Sequence, residues 1–327
     1  MTRAEHSPIL REKYKDNIEA FSEIERTCRK VEEHIGSHER ISISVSGGSD
    51  SDCIVHLICT YFPEMLEKCR FVFVNTGLEY DATKRHLDYL EDRYGIKIDR
   101  LRGKSVVWVV RKYGMPILSK YKSTRIKRYL AGQRSSWSWI FGDKVKSYHS
   151  MMFSENQKKL VTYLKENNIK ISSDCCTYSK KKPLHEYHKQ HGCDLAVTGE
   201  RKAEGGQRAV AQSSCFMEKK TDINKFMPLF WWSDDVKAAF KKAEGIRYSD
   251  CYEVYGLRRT GCVGCPFNLN IQEDLQAMLE HEPRLFKACM SVFGRSYELM
   301  DEFKCRRKKC LPESFQLSFG FTEEGGI

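Results

Sequence analysis

The stretch ISISVSGGSDSD, residues 41–52, decides the fold class of this chain. Its first half alternates isoleucine or valine with serine, which is typical of a β-strand. Its second half brings two glycines and then hydroxyl and carboxylate residues, and the apolar segment at 52–62 has the pattern of a buried helix. A strand, a glycine turn and a helix can together hold a phosphate, because glycine lets backbone amides approach an anion. The alternative is an ordinary turn in which Ser49 or Asp50 caps the helix.

Strand and helix patterns alternate along much of the chain. Further strand patterns lie at 71–77, 96–103 and 193–200, and helix patterns at 10–36, 80–95 and 106–114. Alternation at this spacing predicts an α/β fold, with a doubly wound parallel sheet and helices on both faces. Three strand-ending loops should then meet at the carboxyl edge of the sheet, where such sheets bind ligands: 46–51, 75–79 and 198–208.

Composition changes along the chain predict three regions. We expect a helical N-terminal leader at 1–38, an α/β domain at 39–235, and a C-terminal helical region at 236–327 that carries a Cys-x-x-Cys pair. A basic insertion at about 115–170 interrupts the alternation inside the α/β domain.

The overall composition favours an anionic partner. The 327 residues carry a formal net charge of +11, which suits a nucleotide or a nucleic acid. Hydrophobic residues make up 41% of the chain, enough for a packed core. The N-terminus is charged and has no apolar leader, and no run approaches the roughly 18 apolar residues of a membrane span. We therefore expect a soluble, cytoplasmic protein that makes no membrane contact.

The motif SGG-x-D-S at 46–51 resembles the PP-loop of the adenine-nucleotide α-hydrolase superfamily, which includes ATP pyrophosphatases, sulfur-inserting tRNA enzymes and sulfonucleotide reductases. Further stretches are similar to motifs of its phosphoadenosine phosphosulfate (PAPS) reductase-like branch: NTGLEYDATKRHL (75–87), CCTYSKKKPLHEY (175–187) and TGERKAEGGQRA (198–209). YGLRRTGCVGCPF (255–267) resembles a cysteine-pair signature of the iron–sulfur members. The resemblance implies the PP-loop, HUP-like form of the α/β fold and an adenine nucleotide, ATP or a sulfonucleotide, as ligand.

The resemblance also assigns residues to the nucleotide. Thr76 and Gly77 would line the adenosine side, and the phosphates would be held by Ser46, Gly47, Gly48, Ser49, Asp50 and Ser51. Asp50, with help from Asp52, would place Mg²⁺. Arg201 and Arg208 would reach the phosphate or sulfate end, where a guanidinium pairs with oxyanions; the alternative is that both are solvated loop charges. These assignments make the candidate catalytic residues Asp50, Arg201 and Arg208.

Position 49 carries serine where many ATP pyrophosphatase loops carry lysine, so the loop lacks one charge that would neutralise phosphate. The resemblance leaves that role to Mg²⁺, to Arg201 and to Arg208, or else implies a sulfonucleotide ligand.

Four of the 14 cysteines form two local pairs, Cys175–Cys176 and Cys262–Cys265. Four thiolates suit a 4Fe-4S cluster or a structural zinc ion, and a tandem pair fits the larger cluster better. The resemblance to iron–sulfur members likewise favours 4Fe-4S over zinc. A redox disulfide between Cys262 and Cys265, or burial of the cysteines without any role, would also account for the pattern. Cys305 and Cys310 flank RRKK and are expected to be exposed tail residues.

The resemblance implies three functional hypotheses. The first is cleavage of ATP at the α–β bond to adenylate an acceptor, followed by sulfur transfer from a donor protein. The second is reduction of a sulfonucleotide, for which relatives use a mobile E-C-G-x-H-type motif that the final stretch, LPESFQLSFGFTEEGGI, does not contain. The third is a non-catalytic nucleic-acid-binding or cluster-bearing subunit.

The segment at 118–150 is the most basic part of the chain. Eight lysines and arginines accompany a single acid, with Trp137, Trp139 and Tyr148 among them. Such a segment is typical of a nucleic-acid surface, here for tRNA or DNA, with lysines for phosphates and tryptophans for base stacking. The alternative is a solvated helical hairpin whose tryptophans belong to the core.

Overall fold

The computed structural model describes residues 3–142, 152–205, 213–219 and 223–312. Within these residues six strands form one sheet in the order β3-β2-β1-β4-β6-β5. The strands are β1 (Ile41–Ser44), β2 (Cys69–Asn75), β3 (Ile98–Arg102), β4 (Leu195–Val197), β5 (Phe216–Met217) and β6 (Asn224–Phe226). All neighbouring pairs are parallel except β5 with β6. The predicted α/β fold with a parallel sheet is confirmed.

Helices cover the sheet and extend beyond it. The first nine are α1 (Arg3–Lys13), α2 (Ile18–Gly36), α3 (Ser49–Tyr61), α4 (Asp81–Tyr94), α5 (Val106–Tyr113), α6 (Lys120–Leu130), α7 (Arg134–Ile140), α8 (Glu155–Glu166) and α9 (Lys182–His191). A π-helical turn at Thr177–Lys181 precedes α9, and short 3₁₀ turns lie at Pro63–Lys68 and Lys202–Glu204. The later helices are α10 (Asp234–Glu244), α11 (Asp250–Glu253), α12 (Ile271–His281) and α13 (Pro283–Glu302).

The sheet order places a topological switch point between β1 and β4. Ile41 is in register with Cys69 of β2 on one side and with Leu195 of β4 on the other. The chain continues outward from β1 in one direction through β2 and β3, and in the other through β4 and β6. The loops after β1 and β4 therefore border the crevice in which open α/β sheets bind ligands.

Apolar periodicity explains how the helices adjacent to β1 are buried. In α3 almost every side chain is buried, including Cys53, Ile54 and Leu57. By contrast α2 buries one stripe at helical spacing, with Ile24 and Val31 among its members. An apolar stripe of this kind packs on a sheet while its charged face meets water.

The pair β5–β6, which the sequence patterns did not predict, forms a short antiparallel edge. A second core lies away from the sheet and joins buried side chains of the basic insertion, such as Ile126 and Leu160, to Leu275 and Phe293 of α12 and α13. The three-region division at 38/39 and 235/236 stays a prediction. No helix among the described residues is long and apolar enough to cross a bilayer.

Cys305 and Cys310 are buried, with 8% and 0% of their surface exposed, so their expected exposure is wrong. The chain after α13 folds back, because the Asp301 carboxylate accepts hydrogen bonds from the amides of Cys310 (2.7 Å) and Leu311 (3.1 Å). Of the charged residues between the two cysteines, those at 307–309 are exposed and Arg306 is partly buried, while the thiols join the second core.

The tryptophans of the basic segment are not core residues. Trp137 is 54% exposed, and Trp139 is partly buried beneath Arg125, whose guanidinium carbon lies 4.3 Å from the ring centroid. The hairpin alternative is therefore wrong about these side chains. Tyr148 lies outside the described residues.

A buried carboxylate connects the leader helix to the body of the protein. Glu244, at the end of α10, accepts hydrogen bonds from Lys13 (2.6 Å), Tyr14 (2.8 Å), Tyr61 (2.8 Å) and His56 (3.0 Å). Burial raises the pKa of this carboxyl, but the four donors outweigh it and hold the pKa at about 2. Three helices, α1, α3 and α10, thus share one charge that is 1% exposed.

We predict that Glu244→Gln lowers the free energy of unfolding by roughly 3 kcal/mol, because it leaves Lys13 and His56 without their carboxylate. Since folding lowers the pKa of Glu244 from 4.5 to about 2, the wild-type contribution is fully present above pH 4.5 and is lost as the pH falls toward 2. Urea unfolding of both proteins across this pH range tests the prediction.

The control is Glu33→Gln, which removes an exposed carboxylate that pairs with Lys30. This change should cost no more than about 1 kcal/mol. Equal losses in the two variants would contradict a special role for Glu244.

Candidate active site

The loop after β1 turns back on itself at two glycines. Gly47 has φ +66°, a left-handed conformation, and a Cβ added there would lie 2.7 Å from Cγ2 of Thr83 on α4. Gly48 caps α3, and its Cβ position is 3.0 Å from the Thr260 hydroxyl. Position 47 requires glycine for its backbone conformation and for its close approach to Thr83, whereas a side chain at position 48 would crowd the Thr260 hydroxyl.

Two serine hydroxyls hold the turn in shape. The Ser51 hydroxyl donates to the Gly48 carbonyl at 2.7 Å and accepts from the Gly48 amide and the Ser46 amide, both at 3.2 Å. The Ser46 hydroxyl donates to Ser51 Oγ at 3.2 Å. Ser46 is exposed and Ser51 is buried, so Ser51 orders the turn from below while Ser46 borders the crevice.

Asp50 is the meeting point of two cations from distant segments. Arg201, in the loop after β4, donates from Nε to Asp50 Oδ1 at 2.7 Å, and Lys237 of α10 donates to the same oxygen at 3.1 Å. Arg201 also donates to Asp234 Oδ1 at 2.8 Å and to the Trp232 carbonyl at 3.1 Å. With only 6% of its surface exposed, Arg201 is a buried, fixed guanidinium and not a solvated loop charge. Arg208 lies outside the described residues.

Lys237 stands beside Ser49, where the loop lacks its own lysine. Its ammonium donates to Ser49 Oγ at 3.1 Å in addition to Asp50. A cation from α10 therefore lies where the ammonium of a lysine at position 49 would help to neutralise phosphate. Sequence reasoning missed Lys237, because it is one of several similar lysines in a regular amphipathic helix.

The loop borders a cavity of about 370 Å³ at the switch point. Besides Asp50, Arg201 and Lys237, its walls include Tyr252, Arg258, Arg259 and Thr260, none of which the motifs singled out. The Tyr252 hydroxyl accepts from the Ser49 amide at 3.2 Å and from the Thr260 amide at 3.0 Å. Tyr252 therefore links the arginine-bearing segment to the loop. The cavity wall carries four cations beside four carboxylates: Asp50, Glu200, Glu204 and Asp234.

Thr76 and Gly77 lie at the end of β2 and do not line the phosphate cavity. They border a second cavity of about 360 Å³ together with Glu79 and Ser105. The Thr76 hydroxyl, which is buried, donates to Glu79 Oε1 at 2.8 Å. Gly77 is exposed with φ +90°, which suits the tight turn that leads toward α4.

Asp52 faces the protein interior, so its expected help in placing Mg²⁺ at the phosphates is not supported. It is fully buried and lies 2.8 Å from Nε2 of His86 on α4. Burial raises the pKa of Asp52, and the contact with His86 opposes that rise. Successive helical residues turn by about 100°, so Asp50 and Asp52 cannot both face the crevice.

The four paired cysteines come together although 85 residues separate the pairs. Cys175, Cys176, Cys262 and Cys265 line one small cavity of about 10 Å³, along with Thr76 and Val106. Each of the four is partly exposed, unlike the buried Cys251 and Cys289. Among the described residues no group of three or more histidine, cysteine or carboxylate side chains is arranged to hold a metal ion.

The thiols sit in an electropositive environment. A hydrogen bond from Cys175, together with the charges of Lys120, Lys180 and Lys181, lowers the pKa of Cys176 to about 6 against the effect of burial. Burial raises the pKa of Cys265 to about 12. The Lys180 side chain also hydrogen-bonds the Cys262 thiol. Four soft sulfur donors are the donor set of an iron–sulfur cluster or a zinc ion, and the neighbouring lysines would balance the negative charge of the thiolates.

Arg306, from the segment after α13, holds the Cys-x-x-Cys loop in place. Its guanidinium donates to the carbonyls of Asn268 (2.6 Å), Leu118 (3.0 Å) and Pro266. On the inner side the Tyr297 hydroxyl of α13 donates to the Gly264 carbonyl. The loop is therefore fixed by hydrogen bonds from two directions.

A protein-family comparison matches the model described as the phosphoadenosine phosphosulfate reductase domain over residues 40–136 and 141–268. The chain belongs to this family. The matched residues include the loop after β1, Arg201 and all four paired cysteines.

The curated relatives of this phosphoadenosine phosphosulfate reductase family member are distant. The chain is 26% identical over 271 residues to an uncharacterised protein of Methanocaldococcus jannaschii, covering 81% of this chain and 42% of that protein. It is 26% identical over 111 residues to adenosine 5′-phosphosulfate reductase of Neisseria meningitidis, covering 34% of this chain and 44% of that enzyme. The chain thus spans about half the length of the curated relatives that it matches.

Two solved structures illustrate how far the likeness extends. PAPS reductase of Candida auris is 13% identical with a TM-score of 0.43, covering 72% of this chain and 86% of that one. The U34-tRNA thiolase of Methanococcus maripaludis, with its 4Fe-4S cluster, is 14% identical with a TM-score of 0.37, covering 86% and 79%. These scores are too low to bear on function.

We predict that Arg306→Ala makes Cys262 and Cys265 about tenfold more reactive, because lost charged hydrogen bonds free the loop to open. The measurement is the rate of iodoacetamide labelling of each thiol in the metal-free protein, followed by mass spectrometry. Arg307→Ala is the control, since Arg307 is exposed and adjacent in sequence. Equal labelling rates in both variants would contradict the role given to Arg306.

Proposed function

We propose that this protein cleaves ATP between the α- and β-phosphates and adenylates an acceptor for sulfur transfer. The observation that carries the proposal is the segment 258–265, which lines both sites. Arg258 and Arg259 border the phosphate cavity, and Cys262 and Cys265 border the cysteine cavity. A nucleotide held by the loop would thus lie next to four thiols, and membership of a nucleotide-handling family supports this arrangement.

The phosphate cavity offers four cations to the triphosphate of ATP, and its four carboxylates leave room for a metal ion to add positive charge. Lys237 and Arg201 are anchored on Asp50, and Arg258 and Arg259 lie in the facing wall. Catalysis of phosphoryl and nucleotidyl transfer depends mainly on positioning and on neutralising charge as the leaving group departs. The loop residues 46–51 would hold the phosphates, and Arg208 remains a proposed further phosphate ligand.

In the proposed reaction an acceptor oxygen attacks the α-phosphorus, the bond to the bridging oxygen breaks, and pyrophosphate leaves with the electron pair. The acceptor then carries AMP. A reduced sulfur nucleophile from a donor protein displaces AMP, so that a bond to sulfur replaces the bond to oxygen. Lys237 and Arg201 stabilise the departing pyrophosphate. Thr76 and Gly77 border the cavity proposed for the adenosine.

Two groups are proposed to accompany the nucleotide. Asp50 offers the oxygen ligand that Mg²⁺ prefers, and such an ion adds positive charge between the phosphates. Cys175, Cys176, Cys262 and Cys265 would hold a 4Fe-4S cluster, with zinc as the alternative; the sulfur donor set and the cationic surroundings fit either group. A cluster held by all four thiolates has a protein ligand on each iron, so it would supply a redox-active iron–sulfur centre beside the nucleotide.

Sulfonucleotide reduction is the second candidate. The match to an adenosine 5′-phosphosulfate reductase favours it. Against it, Cys305 and Cys310 are buried in the second core, so neither is placed to act as a mobile nucleophile. Sulfite release from a sulfonucleotide with a thiol donor, without pyrophosphate release from ATP, would favour this candidate. Nucleotide binding with neither product would favour a non-catalytic subunit.

We predict that Asp50→Asn reduces ATP-dependent pyrophosphate release by about 10²- to 10³-fold, because Arg201 and Lys237 lose the carboxylate that positions them. A coupled pyrophosphate assay with ATP and Mg²⁺ makes the measurement, and thermal melting checks that the variant is folded. Asp235→Asn, at an exposed position of α10, should retain wild-type release. Unchanged release in Asp50→Asn would refute the assignment.

We also predict that anaerobically purified protein is brown, absorbs at about 400 nm and contains about four irons per chain. Cys262→Ser should lose the absorbance because it removes one ligand. Cys193→Ser should keep it, since Cys193 is partly buried but does not line the cavity. A colourless protein with about one zinc per chain would contradict the cluster and support a structural zinc ion.

A further inference from the structure

Three aromatic rings form a continuous array on the surface beside the cysteine cavity. Tyr113 and Tyr178 are stacked, with centroids 4.9 Å apart and planes inclined by 4°. Trp108 meets Tyr113 edge-on at 5.9 Å. Trp108 is 38% exposed, and both tyrosines are partly exposed. We call these three side chains the aromatic platform.

Lysines surround the aromatic platform. The Lys112 and Lys104 ammonium groups lie 4.7 Å and 5.3 Å from the Trp108 ring centroid. Lys182 lies 4.4 Å from the ring of Tyr178. Lys127 lies 5.9 Å from the ring of Tyr113 and is paired with the Asp174 carboxylate. The two segments that carry the platform, residues 102–113 and 175–184, contain seven lysines and arginines and no acid.

The platform is built on the same elements as the cysteine cavity. Helix α5 supplies Val106 to the cavity wall and Trp108 to the platform. The π-helical turn carries Tyr178 two residues after Cys176, and its Ser179 lines the cavity. The amide of Lys104 donates to the Tyr178 carbonyl at 3.3 Å, which joins the two elements. A ligand on the rings would therefore lie at the entrance to the thiols.

We propose that the aromatic platform binds single-stranded nucleic acid, with bases stacked on the rings and phosphates paired with the surrounding lysines. Exposed aromatic rings accept any unpaired base, and lysines track the backbone. A duplex offers no free base face to these rings. The seven cations of the two segments outnumber the adjacent acid, Asp174, which disfavours a basic partner. This proposal adds an acceptor to the proposed function: the bound strand would be the molecule that is adenylated. Only that identification of the acceptor rests on the proposed function.

This surface differs from the basic segment at 118–150 that the sequence singles out. Trp137 of α7 is exposed and lies tilted by 35° against Phe141, at 5.9 Å, while Phe141 meets Tyr129 edge-on at 5.5 Å. This group of rings has no parallel stack like that of Tyr113 and Tyr178. Trp231 offers a closer match to Trp108, because it is 40% exposed and has two cations, Arg26 and Lys202, over its ring. It stands without stacked tyrosines among the described residues and is the control.

The test measures fluorescence anisotropy of labelled single-stranded DNA and RNA, each of about 12 nucleotides, with the full chain and no ATP. We expect Trp108→Ala to weaken binding by about tenfold and Trp108→Phe to restore most of it. Trp231→Ala should leave binding unchanged. Lys112→Ala should lower the slope of log affinity against log salt by about 0.7, as expected for one phosphate contact.

Several results would overturn the proposal. Equal losses in Trp108→Ala and Trp231→Ala would do so, as would a loss confined to Trp137→Ala. Equal affinity for duplex of the same sequence, or full competition by polyglutamate, would show that binding depends on charge alone and not on base stacking. Because the assay contains no ATP, its result does not depend on whether the proposed ATP chemistry is correct. Pyrophosphate release without Trp108-dependent strand binding would overturn the platform alone.

Discussion

The contact of Asp50 with Arg201 and Lys237 organises the carboxyl edge of the sheet. It joins the start of α3 to the loop after β4 and to helix α10, through residues that lie 151 and 187 positions after Asp50. The carboxylate balances two cations that would otherwise repel each other across a narrow crevice. Burial of the Arg201 guanidinium is possible because it is satisfied on three sides, by Asp50, Asp234 and a backbone carbonyl. Contacts within the protein are therefore sufficient to order this part of the cavity wall.

Helix α10 carries this contact because its other end is equally constrained. At its C-terminus, Glu244 accepts hydrogen bonds from donors of α1 and α3. At its N-terminal end, Lys237 and Asp234 face the crevice. A helix held at both ends cannot rotate, so its lysine stays beside Ser49. The leader helix, which supplies none of the described residues of the cavity wall, contributes to the site through this rigid connection.

Local patterns were sufficient to predict the frame of the site. Strand alternation, glycine at positions 47 and 48, and helix periodicity are short-range signals, and they located the crevice and the loop correctly. Lys237 could not be found that way, because it reaches Asp50 across 187 residues and its helix presents similar lysines elsewhere. Asp52 could have been excluded, since two positions along a helix point to nearly opposite faces. The expected exposure of Cys305 and Cys310 is inferred from their charged neighbours. One of those neighbours, Arg306, instead turns inward and donates to backbone carbonyls.

The same carboxyl edge explains how a nucleotide pocket and a thiol cavity can coexist without competing for space. The loop after β1 supplies the phosphate side, whereas Thr76, at the end of the adjacent strand, is already part of the cysteine cavity. Parallel strands lie about 4.8 Å apart, so the loops that follow two neighbouring strands begin close together and can line adjacent sites. The segment 258–265 then crosses from one site to the other, with Tyr252 fastening its first half and Arg306 and Tyr297 its second. Any movement of that segment must alter both sites together.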